Sequence, residues 1–176
     1  MPFPEDALQK LFDLSGLAAS LLAHVTRVIL GVIVLLVLYD VAARNLARPI
    51  AWSASAIEIL LIYVAFLPMP ALVRHKGHVC ADFLRHALPD AARRGAEKLV
   101  CLLCIGICAY LGLVAFQLLL ENLQSGDYDV RSFDVPRWTI YLPMVIGLWL
   151  SVIEFIRFLT GADSLYAIDA RDIEGF

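Results

Sequence analysis

The sequence predicts an all-α integral membrane protein with four transmembrane helices. Two observations carry that class. The chain is 61% hydrophobic and only 18% charged, with a mean hydropathy of +0.78, far from the balance of a soluble domain. Its apolar residues also gather into four runs, each near the roughly 20 residues that a helix needs to cross a hydrocarbon core of about 30 Å. We read the 176 residues as a single membrane domain, 1–176, with spans at about 21–43, 52–73, 99–120 and 138–159.

Span one centres on VILGVIVLLVLYDVAA. Ahead of it, ALQKLFDLSGLAASLL sets Leu8, Leu11 and Phe12 opposite Lys10 and Asp13. That pattern predicts an amphipathic helix lying on the membrane. The opening MPFPEDALQK has Glu5 and Asp6 against one Lys, so it lacks a basic leader region. The first apolar segment is therefore expected to be a retained anchor.

Span two begins at Trp52 after the short connection NLARPIA, so spans one and two should be neighbours. Pro68 and Pro70 in LPMP predict a kink near its far end. The loop of about 74–98 mixes apolar and basic residues at helical spacing, with breaks at Pro89 and Gly95. It predicts a second interfacial helix, with a solvated connector an equal reading after Pro89. Span three is LVCLLCIGICAYLGLVAFQLLL. Span four opens with Trp138 and Tyr141, aromatics suited to headgroup level, and carries Pro143 as a further kink.

Orientation follows from Lys and Arg. Ten lie on the side of the termini and the middle loop: Lys10, Arg27, Arg74, Lys76, Arg85, Arg93, Arg94, Lys98, Arg157 and Arg171. Four, Arg44, Arg48, Arg131 and Arg137, lie on the other. Both termini and the loop are expected to be cytoplasmic.

Composition also excludes functions. A net charge of −3 gives no basis for nucleic-acid binding. Cys101, Cys104 and Cys108 share one face of an apolar span and make no disulfide framework. His78, Asp82 and His86 follow one helix line, but no fourth ligand accompanies them, so no metal is expected. No facing intramembrane histidines offer a haem site. No nucleophile–base pair or phosphate loop is present, so neither an enzyme nor a cofactor is expected.

Charges inside the spans need partners. Arg27, Glu154 and Arg157 fall toward the cytoplasmic ends of spans one and four, and Glu154 and Arg157 are expected to pair on one helix face. Asp40 and Arg44 stand four apart on span one. Glu58 lies about 9 Å of rise beyond Trp52 and is expected to neutralise Arg44 or Arg48 across the first hairpin. The competing reading makes Glu58 a proton- or ion-carrying carboxylate. No second midplane acid and no inverted repeat support a complete solute pathway in this chain.

Two stretches carry a resemblance. In FLPMPALVRHKGHVCADFL, Arg74 comes eight residues after Phe66, His78 four later, and Asp82 four after that. In VPRWTIYLPMVIG, Pro136, Trp138, Tyr141 and Gly147 lead into the fourth span. Both, with Trp52 at the start of span two, resemble the small membrane subunit of tripartite ATP-independent periplasmic (TRAP) transporters, the DctQ-like family. The chain departs from that pattern at Ala54 and Ser55, where the family carries an acid, and in the early position of Pro143.

The resemblance implies a bacterial inner-membrane protein that takes part in sodium-coupled uptake of organic anions. Its implied partners are a large membrane subunit, which holds the substrate and sodium sites, a periplasmic substrate-binding protein, and membrane lipid. It implies a scaffold role, with Trp52, Arg74, His78, Asp82, Pro136, Trp138, Tyr141 and Gly147 as interface or structural positions; Glu58 joins them from its own position at the outer end of the first hairpin, not from the resemblance. The alternative is a self-sufficient four-helix proton-coupled exporter using Glu58. A membrane redox module is a third reading, opposed by the histidine pattern.

Overall fold

A computed structural model describes residues 5–46, 51–75, 90–130, 132 and 134–159. It is mostly helical. The order is α1 (Glu5–Asn45), α2 (Ser53–Phe66), α3 (Met69–Arg74), α4 (Asp90–Ser125), a two-stranded antiparallel hairpin β1 (Tyr128–Val130) and β2 (Asp134–Pro136), and α5 (Trp138–Leu159). Four segments are long and apolar enough to cross a membrane: Phe12–Asn45, Ser53–Arg74, Lys98–Ser125 and Trp138–Leu159.

The amphipathic stretch expected ahead of span one is not a separate helix. It runs unbroken into the span, giving α1 a length of 41 residues. At 1.5 Å per residue that is about 60 Å, twice a hydrocarbon core. No proline interrupts it, and Ser15 and Gly16 are absorbed without a break. The stretch after Pro89 likewise belongs to α4, and Gly95 does not end it. Residues 76–89, with His78, Asp82 and the rest of the expected interfacial loop helix, lie outside the described residues.

Prolines shape the second and fourth spans. Pro68 and Pro70 divide span two into α2 and α3, with Pro70 in the first turn of α3, where a missing N–H is tolerated. Pro143 sits inside α5 and has no N–H for the carbonyl of Thr139 four residues earlier. The Tyr63 hydroxyl of α2 donates to that carbonyl at 2.9 Å. This side chain takes the place of the backbone bond that Pro143 cannot make.

α4 ends at Gly126, whose φ of 65° is the left-handed C-cap conformation glycine adopts without a Cβ clash. Its N–H bonds the carbonyl of Asn122 at 3.2 Å. The hairpin that follows was not foreseen. It pairs Tyr128 with Pro136 and Val130 with Asp134. At its tip Ser132 Oγ donates to the carbonyl of Ala51 at 2.7 Å, tying it to the α1–α2 connection.

α5 is the centre of the bundle and packs on α4, α2, α3 and α1. The core runs along it: Leu148, Val152, Phe155 and Phe158 meet Val73 of α3 and Cys101, Cys108 and Ala115 of α4. α1 is peripheral. Within the most apolar window of each span, 39% is buried in the fourth but only 11% in the first.

Candidate functional site

At the end of the bundle that holds the start of the basic loop, α1, α3 and α5 meet on a charge cluster. Glu154 of α5 is fully buried. Its Oε1 accepts from Arg74 Nη1 of α3 at 3.1 Å and from Ser15 Oγ of α1 at 2.8 Å. Arg157, one turn along α5, places Nε 3.4 Å from Glu154 Oε2 and lays its guanidinium 5.2 Å from the centre of the Phe158 ring. Arg74 Nη1 also donates to the carbonyl of Phe12 at 3.1 Å. Two cations on one carboxylate let such charges remain buried, with the hydrogen bonds gathered on Oε1, while Oε2 and Arg157 Nε meet through charge without a hydrogen bond.

Glycine makes the approach possible. The Arg74 guanidinium fills the space that a side chain on Gly16 would require. A second glycine works the same way higher in the bundle. A Cβ on Gly147 would collide with the carbonyl oxygen of Phe66 and lie 2.9 Å from its carbonyl carbon. Pro70, four residues on, has no N–H to give that carbonyl. Beside it, Ser151 Oγ donates to the carbonyl of Gly147 at 2.7 Å and is fully buried. Small residues that let backbones approach are the usual means of packing helices in lipid.

The opposite end of the α1–α2 hairpin has its own polar cluster. Asp40 accepts from Arg44 Nε at 2.8 Å and from Ser53 Oγ at 2.8 Å. Arg44 is thus bonded to Asp40 one turn away. Glu58 is exposed on α2, and Arg48 lies outside the described residues.

The positions singled out from sequence therefore separate. Arg74, Glu154 and Arg157 come together. Asp40 and Arg44 form the second cluster. Gly147 packs internally against Phe66. Pro136 closes β2, and its carbonyl accepts from Thr139 Oγ1 at 2.7 Å where α5 begins. Trp52 is exposed at the head of α2, while Trp138 and Tyr141 are half-buried at the head of α5. Arg27 belongs to neither cluster. Twelve residues of helix, about 18 Å, separate it from Ser15 and so from the Glu154 cluster, rather than placing it at the same level as Glu154 and Arg157. Sequence reasoning missed Ser15, Gly16 and Ser53. The one available signal was Ser-Gly at the head of a long apolar helix, a small-residue step that often marks a helix contact.

Among the described residues, no group of three or more His, Cys, Asp or Glu side chains is arranged to hold a metal. The geometry describes a set of helix-to-helix fastenings.

A family profile described as "Tripartite ATP-independent periplasmic transporters, DctQ component" matches residues 33–162. The chain belongs to the DctQ family. It is a multi-pass membrane component of a TRAP transporter, not an enzyme. This DctQ chain is similar to the C4-dicarboxylate TRAP transporter small permease protein DctQ of Pseudomonas aeruginosa, with 27% identity over 168 residues, covering 82% of this chain and 79% of that protein. It is also similar to the sialic acid TRAP transporter permease protein SiaT of Haemophilus influenzae, with 29% identity over 109 residues. That match takes in 62% of this chain but only 17% of the much longer SiaT. No solved structure matches the DctQ chain. Within the matched range fall both arginine partners of Glu154 and the Gly147–Phe66 contact; Ser15 and Gly16 precede it.

Proposed function

We propose that this chain is the small permease subunit of a sodium-coupled, binding-protein-dependent secondary transporter for organic anions. It serves as a scaffold for a large transport subunit and does not itself hold the substrate site. The match to the DctQ family over most of the chain carries this reading.

The geometry supports it in two ways. The carboxylates Asp40 and Glu154 are each held by an arginine and a serine, an arrangement that fastens helices. α1 and α4 turn long apolar faces outward, including Val28, Leu35 and Leu38 on one and Leu103, Ile107 and Tyr110 on the other, as a subunit embedded in lipid and partner requires. The orientation is that of an inner-membrane protein with both termini cytoplasmic, supported by the distribution of Lys and Arg. The solute is an organic anion, the class to which the C4-dicarboxylates and sialic acid named for the two relatives belong. A soluble periplasmic protein delivers it, and the stable partner is the large subunit.

The test is affinity purification of the tagged chain from its native membranes in mild detergent, followed by reconstitution. A one-to-one complex with a much larger polytopic protein is expected. Liposomes holding that complex should take up the anion only with the binding protein and a sodium gradient. Solute movement by the small chain alone would overturn the proposal.

A further inference from the structure

α1 has two faces of different character. Ala19, Thr26, Ile33 and Asp40, seven residues apart, are buried against the rest of the bundle. On the other side Ser20, His24, Arg27 and Gly31 follow one another at helical spacing and are all exposed. Arg27 is twelve residues past Ser15 and thirteen short of Asp40. About 18 to 20 Å of rise therefore separates it from either polar cluster, farther than an arginine side chain reaches. Among the described residues, no carboxylate pairs with it. Around it stand Val25, Val28 and Leu30, all exposed to the surroundings of the helix.

A cation held outward in hydrocarbon is a functional mark, because lipid tails offer it nothing. The neighbouring residues suit a helix docked on this face. Gly31 has no heavy atom of another segment within 4 Å of where a Cβ would stand, so a second backbone can approach closely there. His24 gives its Nδ1 proton to the carbonyl of Ser20 at 2.7 Å, which leaves Nε2 facing away from its own helix.

We propose that the Ser20–His24–Arg27–Gly31 face of α1 is the docking surface for a transmembrane helix of a different chain, and that this helix carries an Asp or Glu opposite Arg27. Charge complementarity selects the occupant: lipid tails do not neutralise Arg27, and the chain's own Asp40 and Glu154 are already engaged. The inference rests on the proposed role as a subunit of a larger membrane transporter, and adds to it the face and the chemistry of the contact.

The test uses the full chain in its native membranes. A photo-crosslinking residue is placed at His24 or Gly31, with Tyr110 on the outward face of α4 as the comparison position. Discrete adducts are expected from 24 and 31, to a segment of another polytopic chain with an Asp or Glu within about one helical turn of the adduct. Arg27→Leu should leave the chain in the membrane at normal level, since Arg27 pairs with no carboxylate among the described residues of its own fold. It should lower recovery of the partner about three- to tenfold, the range of interhelical polar contacts in membranes. Arg27→Glu should lower recovery further, and reversing the partner's acid to Arg should restore it. Adducts to lipid alone, adducts to a second copy of this chain, or full partner recovery with Arg27→Leu would each overturn the docking proposal. If the unaltered chain brings down no larger partner, the subunit role itself fails, a separate result.

Discussion

Arg74 and Glu154 stand 80 residues apart in sequence and 3.1 Å apart in the fold. One is at the last turn of the short helix that Pro68 and Pro70 create; the other is fully buried on the central helix. Removing Glu154 leaves both Arg74 and Arg157 without their shared carboxylate, and breaking a buried ion pair costs about 3–5 kcal/mol. Glu154→Ala should therefore lower thermal stability in detergent sharply. Replacing the whole cluster, Arg74→Met and Arg157→Met with Glu154→Leu, should recover much of the loss, because residues that share one contact are not additive. Gly16→Ala acts through the same pair: it should destabilise the parent chain by displacing the Arg74 guanidinium. It should be nearly neutral once Arg74 is already Ala. Additive losses in that cycle, read by tryptophan fluorescence melts, would sink the interpretation.

Gly147→Ala is expected to cost about 1–3 kcal/mol, the range for overpacking a well-fitted contact. The obstacle is the backbone carbonyl of Phe66, which cannot rotate away as a side chain does. Gly112→Ala is the control. There the nearest atoms are Trp149 Nε1 at 3.3 Å and Leu148 Cβ at 3.6 Å, which need shift only slightly. Equal melting temperatures for the two variants would contradict the close approach of α2 and α5.

Tyr63→Phe removes the hydroxyl that serves the Thr139 carbonyl. The loss should be about 1 kcal/mol, typical of a hydrogen bond whose acceptor is left unpaired. Pro143→Ala restores an N–H four residues along α5, so Tyr63→Phe should lose most of its effect in that background. A full-sized effect in both backgrounds would show that the bond is incidental.

Glu58→Gln should lower assembly of the transporter modestly and leave the sodium and pH dependence of uptake unchanged. Glu58 is exposed on α2, and the polar contacts of Asp40 run to Arg44 and Ser53. Uptake measured in liposomes across a pH series checks this. A shifted profile would return Glu58 to the role of an ion-carrying carboxylate.

Local chemistry determined a good deal on its own. Four apolar runs of bilayer length give four helices, because lipid forces each backbone to satisfy its own hydrogen bonds. Pro68 and Pro70 interrupt span two wherever it packs, since the missing N–H belongs to the residue. Asp40 with Arg44 follows from a spacing of four on one helix, and the loop and span-four motifs were enough to bring the DctQ resemblance into view. Only the tertiary structure decided which distant groups meet. Neither the Ser-Gly step at Gly16 nor the motif around Gly147 says what approaches them, yet these two receive a guanidinium and a carbonyl while Gly31 is open. Nor does the spacing of Glu154 and Arg157 reveal Arg74 and Ser15 as the closer partners, or Arg27 as the charge left facing outward. In hydrocarbon the sign of hydrophobicity no longer tells inside from outside, because lipid-facing and buried positions are both apolar. The buried face of each helix is set by shape and by a few polar pairs, and those exist only once the helices are assembled.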